Sequence, residues 1–346
     1  MRCLSLAEAL RKCGVQVLFI CREFPGHMGG QIAAFGHELA LLPIKTCEAD
    51  PGQDEQVVDK RLGVIWQQDA REVIEVIDNR RPDWLIVDHY GIDHRWHRRL
   101  RAVAPQLMVI DDLANRDLDC DLLLDQNFYN DPMSRYDGLV PDGCEKLLGP
   151  RYMLLRDEFI NTVPKPCSSV GKVDRVVVFM GGADAVNGTE KVLLALDDHS
   201  SSFHQVDVIV GKANPHASVI QKMCGERGGY IFYQGVSNIA EICSGADLAI
   251  GAGGVAMYEW CYLGLPSLIM VTADIQAETT LALDSIGAIG YMGRDDEIDI
   301  QTVSDAVARV ISDGTKLQAM CRSSRSIYKG EQFVGVAGVV DRLLKA

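Results

Sequence analysis

The chain has 346 residues, of which 34 are Lys or Arg and 48 are Asp or Glu, leaving a net charge of −14. That balance argues against nucleic acid or an anionic membrane surface as a partner, because phosphate binding needs a basic face. With 47% hydrophobic and 24% charged residues, the composition is that of a folded protein of about two domains, and disordered or fibrous classes are excluded.

The first predicted element is an amphipathic helix from Cys3, with Leu6, Ala7 and Leu10 on one face and Gly14 as its stop signal. Val15 to Ile20 then reads as a buried parallel strand. A helical pattern from Gln67 to Asn79 leads into the run Trp84 to Asp88. Leu107 to Asp111 and Asp121 to Asp125 are further apolar runs that end in carboxylates, as strand C-termini do. From Asn161 to Lys172 the sequence loses periodicity and collects Pro, Ser and Gly, which marks a linker. A second series follows, with strands at Arg175 to Met180, Val206 to Val210, Tyr230 to Tyr233, Leu248 to Ile250 and Ser267 to Val271, and a last amphipathic helix from Val334 to Leu344. Strands that alternate with helices imply α/β domains with parallel sheets, here two of them.

The longest apolar runs, such as Val176 to Met180, are too short to span a bilayer, and the N-terminus lacks a secretory apolar core, so a cytoplasmic protein is expected. The 11 cysteines include no C-x-x-C pair and are read as reduced, mostly buried thiols. None of the 8 histidines has metal-ligand spacing, so no metal site and no cofactor are expected.

Two Gly-rich turns follow strands in the second half. Met180-Gly181-Gly182-Ala183-Asp184 enters a helix near Thr189, and Gly251-Ala252-Gly253-Gly254 enters a helix that carries Tyr258 and Glu259. Glycine lets backbone approach a ligand, and a helix N-terminus favours phosphate; tight strand-to-helix turning is the plainer alternative. Neither turn has the Gly-Lys-Ser/Thr of a P-loop, and no G-x-G-x-x-G opens the chain, so P-loop ATPases and dinucleotide dehydrogenases are disfavoured. Glu259 is placed where a carboxylate can accept both hydroxyls of a ribose; otherwise it is a surface residue. In the first half Asp88-His89-Tyr90-Gly91 closes a strand, and His89 is a candidate general acid or base or else a structural histidine. Asp111-Asp112 is read as a helix cap before an acid/base pair, and His94 and His97 as surface residues of an Arg-rich helix.

These segments, with Ile110-Asp111-Asp112 and Tyr152-Met153-Leu154-Leu155-Arg156-Asp157-Glu158-Phe159, resemble over nearly the whole chain the UDP-2,4-diacetamido-2,4,6-trideoxy-beta-L-altropyranose hydrolases of pseudaminic acid biosynthesis. That family is similar to the peptidoglycan N-acetylglucosaminyltransferase. The resemblance implies a GT-B architecture, two Rossmann-like domains with parallel sheets facing a cleft. Its parts would be a sugar-side domain over residues 1–160, a linker over 161–172, a UDP-binding domain over 173–330 and a C-terminal helix over 331–346. It further implies that Gly181, Gly182, Gly253 and Gly254 lie against the diphosphate, that Glu259 holds the ribose, that Ser237, Asn238 and Ile239 border the uracil, that Arg156 contacts phosphate, and that Gln276 approaches the nucleotide or sugar. Water would attack the anomeric carbon and release UDP and the inverted free sugar, with Asp88, His89 and Tyr90 assisting. The expected partner is a UDP-sugar, and the expected state is a monomer. A glycosyltransferase using the same donor and a non-catalytic nucleotide-sugar binding protein are the competing readings.

Family members usually carry a strand and a Gly-x-Gly-His loop before Met-Arg-Cys-Leu, and that histidine is the proposed base for water. This chain starts at Met1-Arg2-Cys3-Leu4. A start placed too late, or a truncated inactive paralogue, is therefore expected, with restored UDP release once in-frame upstream sequence supplies the loop.

Overall fold

The computed structural model describes residues 1–44, 60–77, 80–169, 171–328 and 333–345. Its strands are β1 Leu18–Arg22, β2 Glu38–Leu42, β3 Trp84–Val87, β4 Gln106–Ile110, β5 Leu122–Asp125, β6 Glu145–Leu148, β7 Arg175–Phe179, β8 Gln205–Val210, β9 Tyr230–Gln234, β10 Leu248–Ala252, β11 Ser267–Val271 and β12 Gly290–Arg294. Every strand pair is parallel. Parallel pairing requires crossover connections that cover both faces of a sheet, which is why the central strands are apolar throughout. The chain divides into two compact units, one of Met1–Asn127, Asp131–Leu154 and Val334–Ala346, the other of Phe128–Asn130 and Leu155–Phe333.

In the first unit β3, β4, β5 and β6 form one sheet and β1 pairs with β2 in another; among the described residues no strand pairs the second edge of β1 or of β3. One face of the larger sheet packs Val87, Leu107, Val109 and Leu123 against Ala70, Val73 and Ile77 of helix Trp66–Ile77 and Trp96 and Leu100 of helix His94–Leu100. The opposite face packs Met108, Ile110, Leu122 and Leu124 against both chain-terminal helices, Arg2–Lys12 through Leu6 and Leu10, and Gly335–Lys345 through Val339 and Leu343. Each fully buried Leu or Val contributes roughly 1.5–3 kcal/mol of transfer free energy, so the distant C-terminal helix is held there by burial. The indole Nε1 of Trp84 also donates to the Leu343 carbonyl at 3.0 Å.

The first helix stops as its sequence predicts. Gly14 has φ +81°, its N–H donates to Arg11 O, and the N–H of Val15 donates to Leu10 O, a Schellman closure. That closure uses up Val15, so β1 begins three residues later than the apolar run from Val15 suggests.

The second unit is a six-stranded sheet in the order β12-β11-β10-β7-β8-β9. The chain lays β8 and β9 on one side of β7, then crosses back to place β10 on the other side. Its core interleaves Val176, Val178, Val206, Val208, Leu248 and Ile250 with Val192, Leu193 and Leu196 of helix Gly188–Asp197 and Val303 and Val307 of helix Ile300–Ile311.

Several sequence expectations need correction. The thiols are not all free: Cys167, in the segment read as a linker, is disulfide-bonded to Cys321 in helix Gly314–Ser326. Cys47 lies outside the described residues. His97 is wholly buried rather than on the surface; its Nδ1 accepts the Asp119 N–H at 3.2 Å, and burial, with Arg116 nearby, lowers its pKa to about 4. Asp111 caps a turn and not a helix, accepting the N–H groups of Leu113 and Ala114. The helix read to Asn79 is described to Ile77, and residues 78–79 lie outside the described set. The sequence does not mark β6 and β12, whose EKLL and GYMGR lack an uninterrupted apolar run, nor β2, whose apolar run over residues 39–42 is short and ends at Pro43.

Gly251 sits in β10 opposite Phe179 of β7, and a Cβ there would collide with the Phe179 carbonyl oxygen and the Trp260 ring. Gly251→Ala is therefore expected to cost about 2–3 kcal/mol by overpacking. Denaturant midpoints of the variant and parent measure this, and an unchanged midpoint would show that the two strands are not so close.

Candidate functional site

The second unit offers the site. Because β8 and β9 lie to one side of β7 and β10, β11 and β12 to the other, the connections leaving β7 and β10 part in opposite directions, and the carboxyl ends of those two strands are where an open α/β sheet forms its crevice. Both glycine turns fall at that crevice. Gly181 has φ +96°, which a side chain would strain. Asp184, itself at φ +44°, accepts the N–H groups of Gly188 at 2.8 Å and Thr189 at 3.1 Å and so caps the following helix.

After β10, Gly253 is required by packing: a Cβ would lie 2.5 Å from Thr280 Oγ1 and 3.1 Å from Gln276 Cβ. Gly182 and Gly254 are different. A Cβ on either meets nothing within 4 Å, and neither has positive φ, so the protein's own packing does not require glycine there. Gly254 is the N-cap of helix Val255–Leu263, and among the described residues no side chain caps that helix, as is true also of helices Ala217–Gly225, Ile239–Gly245 and Ala277–Ser285. Its first N–H groups have no intrahelical acceptor and carry the positive end of the helix dipole. The helices starting at His94, Ile300 and Gly314 are instead capped by Asp93, Asp299 and Asp313.

Glu259 is 2% exposed, so the surface reading fails. Arg156 grips it bidentately, Nε to Oε1 at 2.7 Å and Nη2 to Oε2 at 2.8 Å, while Nη1 reaches Glu158 Oε1 at 2.6 Å. Burial drives the Glu259 carboxyl upward and the guanidinium pulls it back. The other oxygen of Glu158 accepts the Ala240 N–H at 3.0 Å, which ties helix Ile239–Gly245, and with it Ser237, Asn238 and Ile239, to the same network. Asn238 Nδ2 donates to Glu241. Arg156 is thus an organiser of carboxylates in this geometry rather than a cation held open for phosphate. Gln276 ends a 3-10 turn, and its Oε1 accepts from Thr272 N at 2.9 Å and Thr272 Oγ1 at 3.2 Å, which places it beside Gly253.

In the first unit a polar cluster lies at the carboxyl ends of β3, β4 and β5. Arg2 bridges Asp88, at 2.6 Å, and Asp112, at 3.0 Å, and the Cys3 thiol donates to Asp88 at 3.0 Å. Burial alone would raise the Asp88 pKa, but Arg2 more than offsets it and holds the carboxyl below the usual range. Burial, and after it the nearby Asp112 carboxylate, raises the Tyr90 pKa. His89 is used differently: Nδ1 accepts the Gly91 N–H at 3.0 Å and Nε2 lies 3.2 Å from the Arg61 carbonyl, so both ring nitrogens serve the backbone. Sequence reasoning missed Arg2, which carries no local signal; its two partners lie 86 and 110 positions away.

Residues 175–334 match the glycosyltransferase family 28 C-terminal domain. Over the whole chain the structure is similar to Acinetobacter baumannii MurG, with a TM-score of 0.63 at 13% identity, covering 100% of this chain and 96% of that one. It is likewise similar to the Streptomyces glycosyltransferase SsfS6 in complex with thymidine diphosphate, with a TM-score of 0.64 at 16% identity and the same coverage. The fold is GT-B. In sequence the chain is 22% identical over 283 residues to the spore coat polysaccharide biosynthesis protein SpsG of Bacillus subtilis, covering 78% of this chain and 80% of SpsG. It is 26% identical over 179 residues to the UDP-2,4-diacetamido-2,4,6-trideoxy-beta-L-altropyranose hydrolase of Campylobacter jejuni, covering 52% of this chain and 62% of the hydrolase. An uncharacterized protein of Methanocaldococcus jannaschii is 25% identical over 236 residues, 65% of this chain and 48% of that protein, so the match spans about half the length of that relative. Among the described residues no helix is long and apolar enough to cross a membrane, and no group of His, Cys, Asp or Glu is arranged to hold a metal ion.

Asp125, at the end of β5, yields a pH prediction. It accepts from Tyr136 Oη at 2.9 Å and from the Asn127 N–H at 3.1 Å, yet burial pushes its pKa up to about 7. A carboxyl raised above its unfolded value of about 3.9 contributes stability that is complete below that value and is lost as pH rises through about 7. Asp125→Asn lacks this titration, so its stability advantage over the parent should grow between pH 4 and pH 8, by on the order of 3 kcal/mol. A difference that stays flat across those pH values would remove the assignment.

Proposed function

We propose that the protein is a UDP-sugar hydrolase that cleaves a UDP-linked 2,4-diacetamido-2,4,6-trideoxyhexose in pseudaminic acid biosynthesis. Water attacks the anomeric carbon and forms the new C–O bond with inversion. The bond from that carbon to the diphosphate oxygen breaks, the electron pair leaves with UDP, and the water's proton passes to a base. The observation that carries the nucleotide part of this reading is the pair of glycines, Gly182 and Gly254, that packing leaves unexplained at the two turns flanking the switch point, one of them opening an uncapped helix. Backbone N–H groups there suit a diphosphate, and a dry, preorganised array of donors stabilises the charge that develops on the leaving group. Glu259, fixed by Arg156, presents its remaining lone pairs to the ribose hydroxyls. Ser237, Asn238 and Ile239 are proposed at the uracil and Gln276 beside the diphosphate. We assign the sugar chemistry to the Tyr90 hydroxyl beside Asp112 and not to His89, whose ring is committed to backbone. The hydrolase reading itself rests on the motif resemblance and on the Campylobacter relative.

A glycosyltransferase is the second reading, favoured by the match of residues 175–334 and by the solved neighbours named as glycosyltransferases. The two differ in acceptor dependence. UDP released with water as the sole acceptor supports hydrolysis, and release only on addition of a hydroxyl acceptor supports transfer.

Calorimetric titration with UDP tests the nucleotide site. Gly182→Ala and Gly254→Ala are expected to keep the parent's melting temperature and weaken UDP at least tenfold, about 1.4 kcal/mol or more. Replacing UDP by 2′-deoxy-UDP should cost a similar factor in the parent and much less in Glu259→Gln. A chain indifferent to both nucleotides would sink the proposal. Tyr90→Phe should lower turnover at least tenfold with UDP affinity unchanged, and equal loss of both would assign Tyr90 to folding.

A further inference from the structure

A second concave site lies in the same unit at the opposite end of the sheet. It is a cleft of about 300 Å³ at the amino ends of β11 and β12, bounded by helices Ala277–Ser285, Ile300–Ile311 and Gly314–Ser326. Leu268, Ile289, Val310 and Met320 make its walls apolar. Gly290 lies close against that wall, since a Cβ there would come within 2.8 Å of Leu268 Cδ2. Its volume equals that of about ten waters and lies at the small end of the range for ligand pockets.

Two exposed cations line this cleft, Arg309 and Lys316, and among the described residues neither has an ion-pair partner. In a chain with 14 more acidic than basic residues, unpaired cations over an apolar floor make a local exception to the surrounding negative potential. The carboxylate that shares the cleft, Asp284, accepts the Tyr291 N–H at 2.8 Å through Oδ1, so one of its oxygens is already held by backbone. A compact apolar body would displace water from Leu268, Ile289 and Met320, while a carboxylate on its rim would meet Arg309 and Lys316. We propose that this cleft is a binding site for a small organic carboxylate with a planar or compact apolar body, separate from the nucleotide.

Separation follows from the sheet. Leu268 and Gly290 lie at strand beginnings, whereas the glycine turns follow strand ends, and a five-residue strand advances roughly 16 Å. Helix Ala277–Ser285 spans the same interval, with Gln276 before its first residue at the glycine end and Asp284 at the cleft.

The probe is 2-naphthoate, titrated by its fluorescence into the full chain. Saturable binding is expected, weakened at least fivefold in the double variant Arg309→Gln, Lys316→Gln and abolished in Ala319→Trp, which blocks the exposed mouth without entering the core. The neutral analogue 2-naphthalenemethanol should bind at least fivefold more weakly, and saturating UDP should displace neither compound. Non-saturable binding, equal binding by the variants, equal binding of the alcohol, or displacement by UDP would each overturn the proposal. The naphthoate titrations of parent and variants are read without UDP, so their failure is distinguishable from failure of the nucleotide site.

Discussion

The close approach of β7 and β10 is the constraint on which the second unit depends. Gly251 has no room for a side chain because the Phe179 carbonyl and the Trp260 ring occupy that space. This contact sets β10 directly against the first strand of the unit, and the chain's later strands must then be added outward on that side. The crevice beyond the strand ends is a consequence of that reversal, since no crossover covers the point where the connections part. Gly182 and Gly254 reach the crevice because the turns that carry them are extensions of those two strands.

A second constraint is the pairing of a buried carboxylate. A carboxylate buried as deeply as Glu259 is costly unless it is paired and hydrogen-bonded. Arg156 supplies the pairing in a planar bidentate geometry, and Glu158 neutralises the guanidinium in turn while holding a backbone N–H of the neighbouring helix. One short segment, Arg156 with Glu158, thereby fixes the positions of two helices at once. Removing either partner would leave an unpaired buried charge, so the network constrains position as well as charge.

How much of this was legible in the sequence follows from the range of each interaction. The strands of the second unit were readable because β-branched runs such as Arg175 to Met180 encode themselves locally, and the glycine turns were readable because glycine next to a strand end is a local signal. The Schellman stop at Gly14 is local too. Strands β6 and β12 were not, since an edge strand of mixed polarity is stabilised by its neighbour and not by its own pattern. The burial of His97 escaped for a related reason: its helix is rich in Arg, and only tertiary packing decides which residue of HRWHRRL turns inward. The Cys167–Cys321 bond joins positions 154 apart, and no spacing rule reaches that far. Glu259 was legible as a residue of interest, while its partner Arg156 was assigned to phosphate because a guanidinium suits either anion.

Arg2 shows how a first-turn residue can organise a distant set of charges. Leu6 and Leu10 anchor the helix Arg2–Lys12 on the apolar face of the first unit's sheet, and that anchoring fixes where the helix begins. Its start falls level with the strand ends, so the guanidinium of Arg2 lands between Asp88 and Asp112, which follow β3 and β4. Two carboxylates brought together by parallel strands would repel each other and raise one another's pKa. The bridging cation removes that conflict and lets Asp88 stay ionised despite burial, and Asp112 is then available to accept from Asn127. The polar chemistry of this unit is therefore set by hydrophobic packing two turns along the helix, where nothing polar is involved.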